Sequence, residues 1–215
     1  MKPGNMNFCA IGRRSPELTL VASIILLSMP FGEVSSAATH PVVSPYQDFS
    51  NSILQIRAPG SDGWSGIIRT SDRIAFGKSG LTPSETFVAA VVVFRTPLFA
   101  NSEAFTAYVR EGVIKDSPSD RFEMIESNFE YSTERNYPCV RYRGITNDRK
   151  VRIAPFFHKT MRLEVFALYC QHPTKPGLAF SASFSHRGGS VDATIDTESA
   201  DFIDMVQIIP PAKVP

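Results

Sequence analysis

The stretch "LYCQHPTKPGLAFSASFSHR" (residues 168–187) decides the fold. In its second half the period is two: Phe180, Ala182, Phe184 and His186 share one face, and Ser181, Ser183 and Ser185 share the other. That alternation is the mark of a half-buried strand. "HPTKPG" (172–177) is a Pro- and Gly-rich turn, so the run before it, "TMRLEVFALYCQ" (160–171), folds back as an antiparallel partner. A hairpin closed there pairs positions whose numbers sum to about 350. Cys170 then faces Phe180 or its neighbour, and His186 faces Glu164.

The register limits the chemistry of Cys170, His172 and His186. At about 3.3 Å per residue, His186 lies roughly 20 Å along the sheet from the level of Cys170. One metal binds ligands at about 2.0–2.3 Å, so the three do not form one site. A smaller set, Cys170 with His172 on the same strand and Cys139 or His158 from elsewhere, passes that test. A thiol-active or metal-handling protein using Cys170, His172 and Cys139 is therefore one alternative. His186 beside Arg187 and Gly188-Gly189 reads as a sheet-end residue paired with Glu164.

Moving toward the N-terminus, two further strands precede this hairpin: "RFEMIESNFEYSTER" (121–135) and "YPCVRYRGIT" (137–146). "ETFVAAVVVFRT" (85–96) is a long apolar run, best read as a buried central strand. A helix follows Pro97, capped by Asn101 or Ser102, with Glu103 in its first turn and Phe105, Tyr108, Val109 and Gly112 on one face. A second helix begins at Thr197 as its cap, with Phe202, Met205, Val206 and Ile209 inward, and stops at Pro210-Pro211. Residues 53–210 thus form a single α+β domain, an antiparallel sheet with two main helices. Residues 38–52, rich in Pro, Ser and Thr, read as a linker, and 211–215 as a tail.

The first forty residues have a different character. Arg13 and Arg14 precede the apolar run "LTLVASIILLSM" (18–29), and "VSSAA" (34–38) supplies small residues for cleavage after Ala37 or Ala38. This is the order of parts in a secretory signal peptide (1–37), and the apolar run is short for a membrane span. The address is exported, periplasmic or secreted. From 22 basic and 21 acidic residues, removal of 1–37 takes Lys2, Arg13, Arg14, Glu17 and Glu33 and leaves the two signs equal. Such a balance argues for neither nucleic acid nor anionic lipid as the main partner, and no stable membrane insertion is expected after cleavage. Cys139 and Cys170 remain as the two cysteines, and in an exported chain two thiols most often form one disulfide. Two separate buried thiols and a metal stay open as alternatives.

A "P…GW" turn after the first strand (Pro59, Gly63, Trp64), a long strand into one helix, a meander, and a terminal helix ending in "FIDMVQI" (202–208) resemble the PsbP-like superfamily, including the Mog-type Ran-binding proteins. The resemblance covers roughly residues 52–209. It implies an α/β/α sandwich and a mostly non-catalytic role: assembly factors, chaperones and binding modules that hold another protein. No ligand motif of the family maps onto this chain, and no cofactor is implied.

Complete catalytic constellations are not found in the sequence. "GWSGI" (63–67) has Ile67 where a nucleophile elbow has glycine, which leaves a hydrolase built on Ser65 as a second alternative. Glu123, Glu126, Glu130 and Glu134 read as the exposed face of a strand. Between Arg135 and Arg162 stand Arg135, Arg141, Arg143, Arg149, Lys150, Arg152, Lys159 and Arg162 against Asp148 alone, with acidic stretches on either side. Either neighbouring strands and the acidic last helix neutralise them, or they form a face for a partner protein with an acidic surface. In the second case Arg141, Tyr142, Arg143, Arg152 and Arg162 are the candidate interface. The chain isolated from its exported compartment is expected to start at Ala38 or Thr39 and to weigh two hydrogens less than its reduced mass. Intact-mass spectrometry checks both.

Overall fold

Residues 40–210, apart from Pro83, Pro155 and Phe156, are described by a computed structural model of the chain. The stretch 1–37, read from the sequence as a signal peptide, and the stretch 211–215, read as a tail, lie outside the described residues. Among the described residues, helix α1 (Ser102–Asp116), helix α2 (Ile195–Asp204) and ten strands build an α+β fold. The main sheet has seven antiparallel strands in the order β3 (Ser65–Arg69), β4 (Arg73–Ser79), β5 (Thr86–Arg95), β9 (Leu178–Gly188), β8 (Phe157–Gln171), β7 (Cys139–Ala154) and β6 (Phe122–Ser132). A small sheet holds β1 (Asp48–Ser50), β2 (Leu54–Arg57) and β10 (Gln207–Ile208).

The hairpin expected around residues 172–177 has the expected register. Cys170 pairs with Phe180, and Glu164 pairs with His186. The apolar run 85–96 becomes β5, flanked by β4 and β9 and buried from Phe87 to Val92.

Alternation along the strands sorts the core into two layers. Val140, Tyr142, Leu163, Val165, Ala167 and Tyr169 turn toward α1, which contributes Phe105, Val109 and Val113. The other face carries Phe76, Ala89, Val91, Leu168, Phe180 and Phe184, and it is covered by Phe202 and Ile195 of α2 and by Leu54 and Ile56 of the small sheet. Trp64 is fully buried there, edge-on to Phe184 at 5.6 Å. Helix α1 starts as expected: the Asn101 carboxamide oxygen accepts from Ala104 N–H at 2.8 Å.

Three expectations need correction. The stretch read as a linker belongs to the domain over its described part. Val43 is buried, Val42 bridges to Ser65, and β1 pairs with β2. Its Pro-rich composition concealed two apolar residues, Val43 and Phe49, that seal the core. Helix α2 begins at Ile195 and ends at Asp204, so Thr197 lies inside it. Asp192 sets the start, because its Oδ1 accepts from both the N–H and the hydroxyl of Thr194. Past Val206 the chain straightens into β10 rather than continuing helically to Ile209. Finally, β7 runs well beyond Thr146, to Ala154, against a correspondingly long β8.

Cys139 and Cys170 are opposite each other on β7 and β8 and form a disulfide. Both are buried, with Phe180 beside them in the core. Among the described residues no helix is long and apolar enough to cross a membrane. The bond joins residues 31 apart in sequence, so opening it releases about 3–4 kcal/mol of unfolded-chain restriction. Urea unfolding of the Cys139→Ala/Cys170→Ala variant is expected to show that loss with a somewhat steeper slope, because the unfolded chain without the cross-link exposes more surface, and reductant is expected to leave the variant unchanged.

Candidate functional site

On the face that α2 covers, one row across the sheet reads Ile145, Glu164, His186, Phe87, Lys78. The next row reads Arg143, Phe166, Phe184, Ala89, Phe76, and the one beyond it Arg141, Leu168, Ala182, Val91, Ile74. Strand periodicity alone therefore places an ionic row beside an apolar floor rimmed by arginines.

In the ionic row, His186 lies between two carboxylates. Its Nδ1 is 3.2 Å from Glu164 Oε2, and its Nε2 is 3.0 Å from Glu85 Oε1. Both ring nitrogens are thus within hydrogen-bond distance of a carboxylate oxygen. Phe87 stacks on the ring at 4.5 Å. Glu164 and His186 are each 1% exposed. Glu164 Oε2 also accepts from Asp192 N–H, which ties the loop ahead of α2 to β8. Glu85 caps its own turn by accepting from Leu81 N–H and Thr82 N–H. The hydrogen bond from His186, helped by these backbone donors and opposed by burial, holds the Glu85 carboxyl below its ordinary value. Gly188 leaves room for the arrangement, since a Cβ there would sit 2.5 Å from the imidazole. Farther along the row, Lys78 lies over Trp64 and Phe87 and donates to Ser61 Oγ.

Between α2 and strands β6–β8 opens a cleft of about 270 Å³. Phe166, Leu168, Ala200 and Ile203 supply its apolar surface, and Arg141 and Arg143 stand at its rim. Arg143 lies over the Phe166 ring at 5.3 Å and reaches Asp196 of α2 at 3.8 Å. Arg141 pairs with Glu134. Both guanidinium side chains remain about half exposed.

The five interface candidates separate in space. Arg141 and Arg143 share the cleft. Tyr142 alternates to the opposite face, where it is 5% exposed and stacks on Phe129 beneath α1. Burial pushes its phenol up to about 12. It does not share a surface with the two arginines, which corrects the reading of 141–143 as one patch. Arg152 is nine positions beyond Arg143 on β7, roughly 30 Å at strand rise. Arg162 stands between Asn147 and Gly188. Much of the basic stretch is paired internally: Arg135 with Asp204, Arg149 with Glu123 and Lys150 with Asp120.

The alternatives fare as follows. With Cys139 and Cys170 bonded, neither thiolate is available to a metal or as a nucleophile, and the thiol reading falls. His172 is buried at the β8–β9 turn, and its Nδ1 accepts from Thr174 N–H. Burial, reinforced by Lys175, draws its pKa down. Ser65 lies on β3 opposite Gly77, and among the described residues no hydrogen bond joins it to a histidine. Sequence reasoning found Glu164 with His186 but missed Glu85, Asp192 and Lys78. It also missed buried Asp148, which binds Arg121 through two hydrogen bonds and pairs with Arg187. These partners are far apart in the chain and carry no local pattern.

No family model matches the chain, and no curated protein matches it in sequence. A crystal structure from Bacteroides thetaiotaomicron VPI-5482 at 1.50 Å superposes with a TM-score of 0.42 at 11% identity, over 78% of this chain. The chain spans 50% of that protein's length. LpqN of Mycobacterium tuberculosis, described as involved in cell envelope biogenesis, superposes with a TM-score of 0.48 at 13% identity, over 75% of this chain and 87% of its own. Both likenesses concern fold alone.

Removing the imidazole leaves Glu164 charged and buried, so His186→Ala is expected to cost about 3–5 kcal/mol in denaturant unfolding. Glu85 has a depressed folded pKa, so its contribution is present above the unfolded value of 4.5 and disappears as pH falls through the folded one. Glu85→Gln is therefore expected to flatten the stability profile below pH 4.5.

Proposed function

We propose that this chain is an exported, non-catalytic binding or assembly factor of the PsbP-like kind, which holds a partner protein in the cleft between α2 and β6–β8. The observation that carries the reading is the cleft itself: an apolar floor of Phe166 and Leu168, a movable-sized wall of one short helix, and two half-exposed guanidinium groups at the rim. An apolar anchor seated on the floor with its own carboxylates at Arg141 and Arg143 is the partner chemistry it fits. Those arginines are held by Glu134 and Asp196 in exposed pairs, each worth about 0–1 kcal/mol, so exchange for a partner's carboxylate costs little. The disulfide and the character of residues 1–37 support export.

A photoreactive amino acid at Asn128, which lines the cleft, tests this in the cells that export the chain. The expected result is one defined adduct that disappears when Arg141→Glu/Arg143→Glu is added, with thermal stability retained. The same probe at Glu103, on the outer side of α1, serves as control. Equal adducts from both positions, or none from Asn128, would overturn the reading.

A further inference from the structure

The two edges of the seven-stranded sheet are finished differently. Strand β3 is short and bulged between Gly66 and Ile68, and the chain itself lies against it. Val42 bridges to Ser65, Val43 N–H donates to the Trp64 carbonyl, and Gly66 N–H donates to the Pro41 carbonyl. Strand β6, Phe122–Ser132, forms the other edge and is exposed from Glu123 to Asn128 and again at Glu130 and Tyr131. Among the described residues, no backbone hydrogen bond from 123–132 reaches anything but β7. The backbone groups of every second residue on such an edge point outward and are free to pair. The one bulge of β6 lies near its start, between Met124 and Glu126, and from Glu126 opposite Ile145 to Ser132 opposite Cys139 the register is unbroken. That stretch is long enough to hold an ordinary strand of about 5–6 residues. At its far end β7 is clamped to β8 through Cys139 and Cys170, so the platform is already ordered.

The regular part of β6 has two unlike faces. Glu126, Asn128 and Glu130 share the side of Arg141, Arg143 and α2, while Ser127, Phe129 and Tyr131 alternate to the side of α1. Phe129 stacks on Tyr142 with Arg110 of α1 over its ring at 5.3 Å, and Tyr131 is 37% exposed. Strand β6 carries no Lys or Arg. Glu126 lies opposite Ile145, and Arg141, opposite Glu130, pairs with Glu134 instead. Among the described residues Glu126 and Glu130 therefore have no ion pair, whereas Glu123 has Arg149.

We propose that the free edge of β6 takes up an extended segment of a partner protein as an added strand, and that this segment alternates basic and apolar side chains. Backbone hydrogen bonds along Glu126–Ser132 supply the pairing. Cations on one face of the segment answer Glu126 and Glu130, and apolar residues on its other face extend the row of Phe129 and Tyr131. Arg110 beside Phe129 keeps the partner's cations to the side of α2. A second copy of this chain does not meet these requirements. In an antiparallel pair of β6 strands the carboxylates face either their own counterparts or the aromatic rings, and like charges directly opposite are destabilising. The β3 edge of a second copy is covered by its own residues 41–43. This surface goes beyond the cleft and does not depend on what the cleft holds.

A defined peptide tests the proposal: acetyl-Lys-Val-Lys-Leu-Lys-Val-Lys-amide, titrated into the disulfide-bonded chain with backbone hydrogen exchange as the readout. Binding is expected to protect every second amide between Glu126 and Ser132 and to weaken as salt rises. A block peptide of the same composition, with its lysines first, is expected to bind roughly tenfold more weakly, because its backbone and side chains are not satisfied together. N-methylation of one alternating set of peptide amides is expected to abolish binding, and of the other set to leave it. Glu126→Gln/Glu130→Gln is expected to lower affinity roughly two- to fivefold for each carboxylate removed. Glu103→Gln, on the outer side of α1, is expected to bind as the parent does, and unchanged thermal midpoints show that these exposed substitutions leave the fold intact. Absence of binding, equal binding by the block peptide, loss from neither methylated peptide, or protection outside β6 would overturn the proposal. So would the same alternate protection arising from the chain alone as its concentration rises, which would make a second copy the occupant. None of these outcomes bears on the cleft, whose test reads Arg141 and Arg143.

Discussion

Glu164 is a carboxylate 1% exposed in the middle of a seven-stranded sheet, and much of the architecture around it follows from keeping it satisfied. A buried charge without partners costs several kcal/mol. Here the neighbouring strand supplies His186, the β4–β5 turn supplies Glu85 on the far side of the imidazole, and the loop before α2 supplies Asp192 N–H. Glu164 Oε1 has no hydrogen-bond partner among the described residues, so all the compensation runs through Oε2. The network spans four separate segments of the chain. A one-residue slip between β8 and β9 would turn His186 away from Glu164, so the ionic contact specifies register as well as strength.

Six positions along the same hairpin the bond is covalent. The disulfide clamps β7 to β8 near the β8–β9 turn, while the ionic row joins β8 to β9 and the loop before α2 at the other end. Helix α2 is held between these constraints. Its start is tied through Asp192, and its end through Arg135, which donates to the carbonyls of Ile203 and Val206. Between those two moorings the helix contacts the sheet through Phe202 and Ile195, and toward β6–β8 it leaves the cleft open. The cleft is thus a consequence of where α2 is tied.

Charge is distributed by the same geometry. Basic side chains of β7 meet acids from β6, the β6–β7 turn, α2 and the segment ahead of β6. The acidic stretches that flank the basic one in sequence are its neighbours in space.

The sequence by itself determined the α+β class and the β8–β9 hairpin with its register, narrowed the cap of α1 to Asn101 or Ser102, and made a disulfide the first of three readings of the two cysteines. These are local: the period-two run at 180–186, the turn at 172–177 and Asn101 before Ser102 each act over a few residues. Register then follows by counting, which is why Glu164 was found opposite His186. Tyr142 beside two arginines misled for the complementary reason. Adjacent residues on a strand point to opposite faces, and adjacency in sequence is separation in space. Only the tertiary structure decided that Val43 and Phe49 belong to the core, that Glu85 closes on His186 from 101 positions away, and that Asp148 gathers Arg121 and Arg187. Such contacts depend on strand order, and the order β5-β9-β8 is set by burial of whole faces against two helices, a property of the assembled layers that no short stretch of chain encodes.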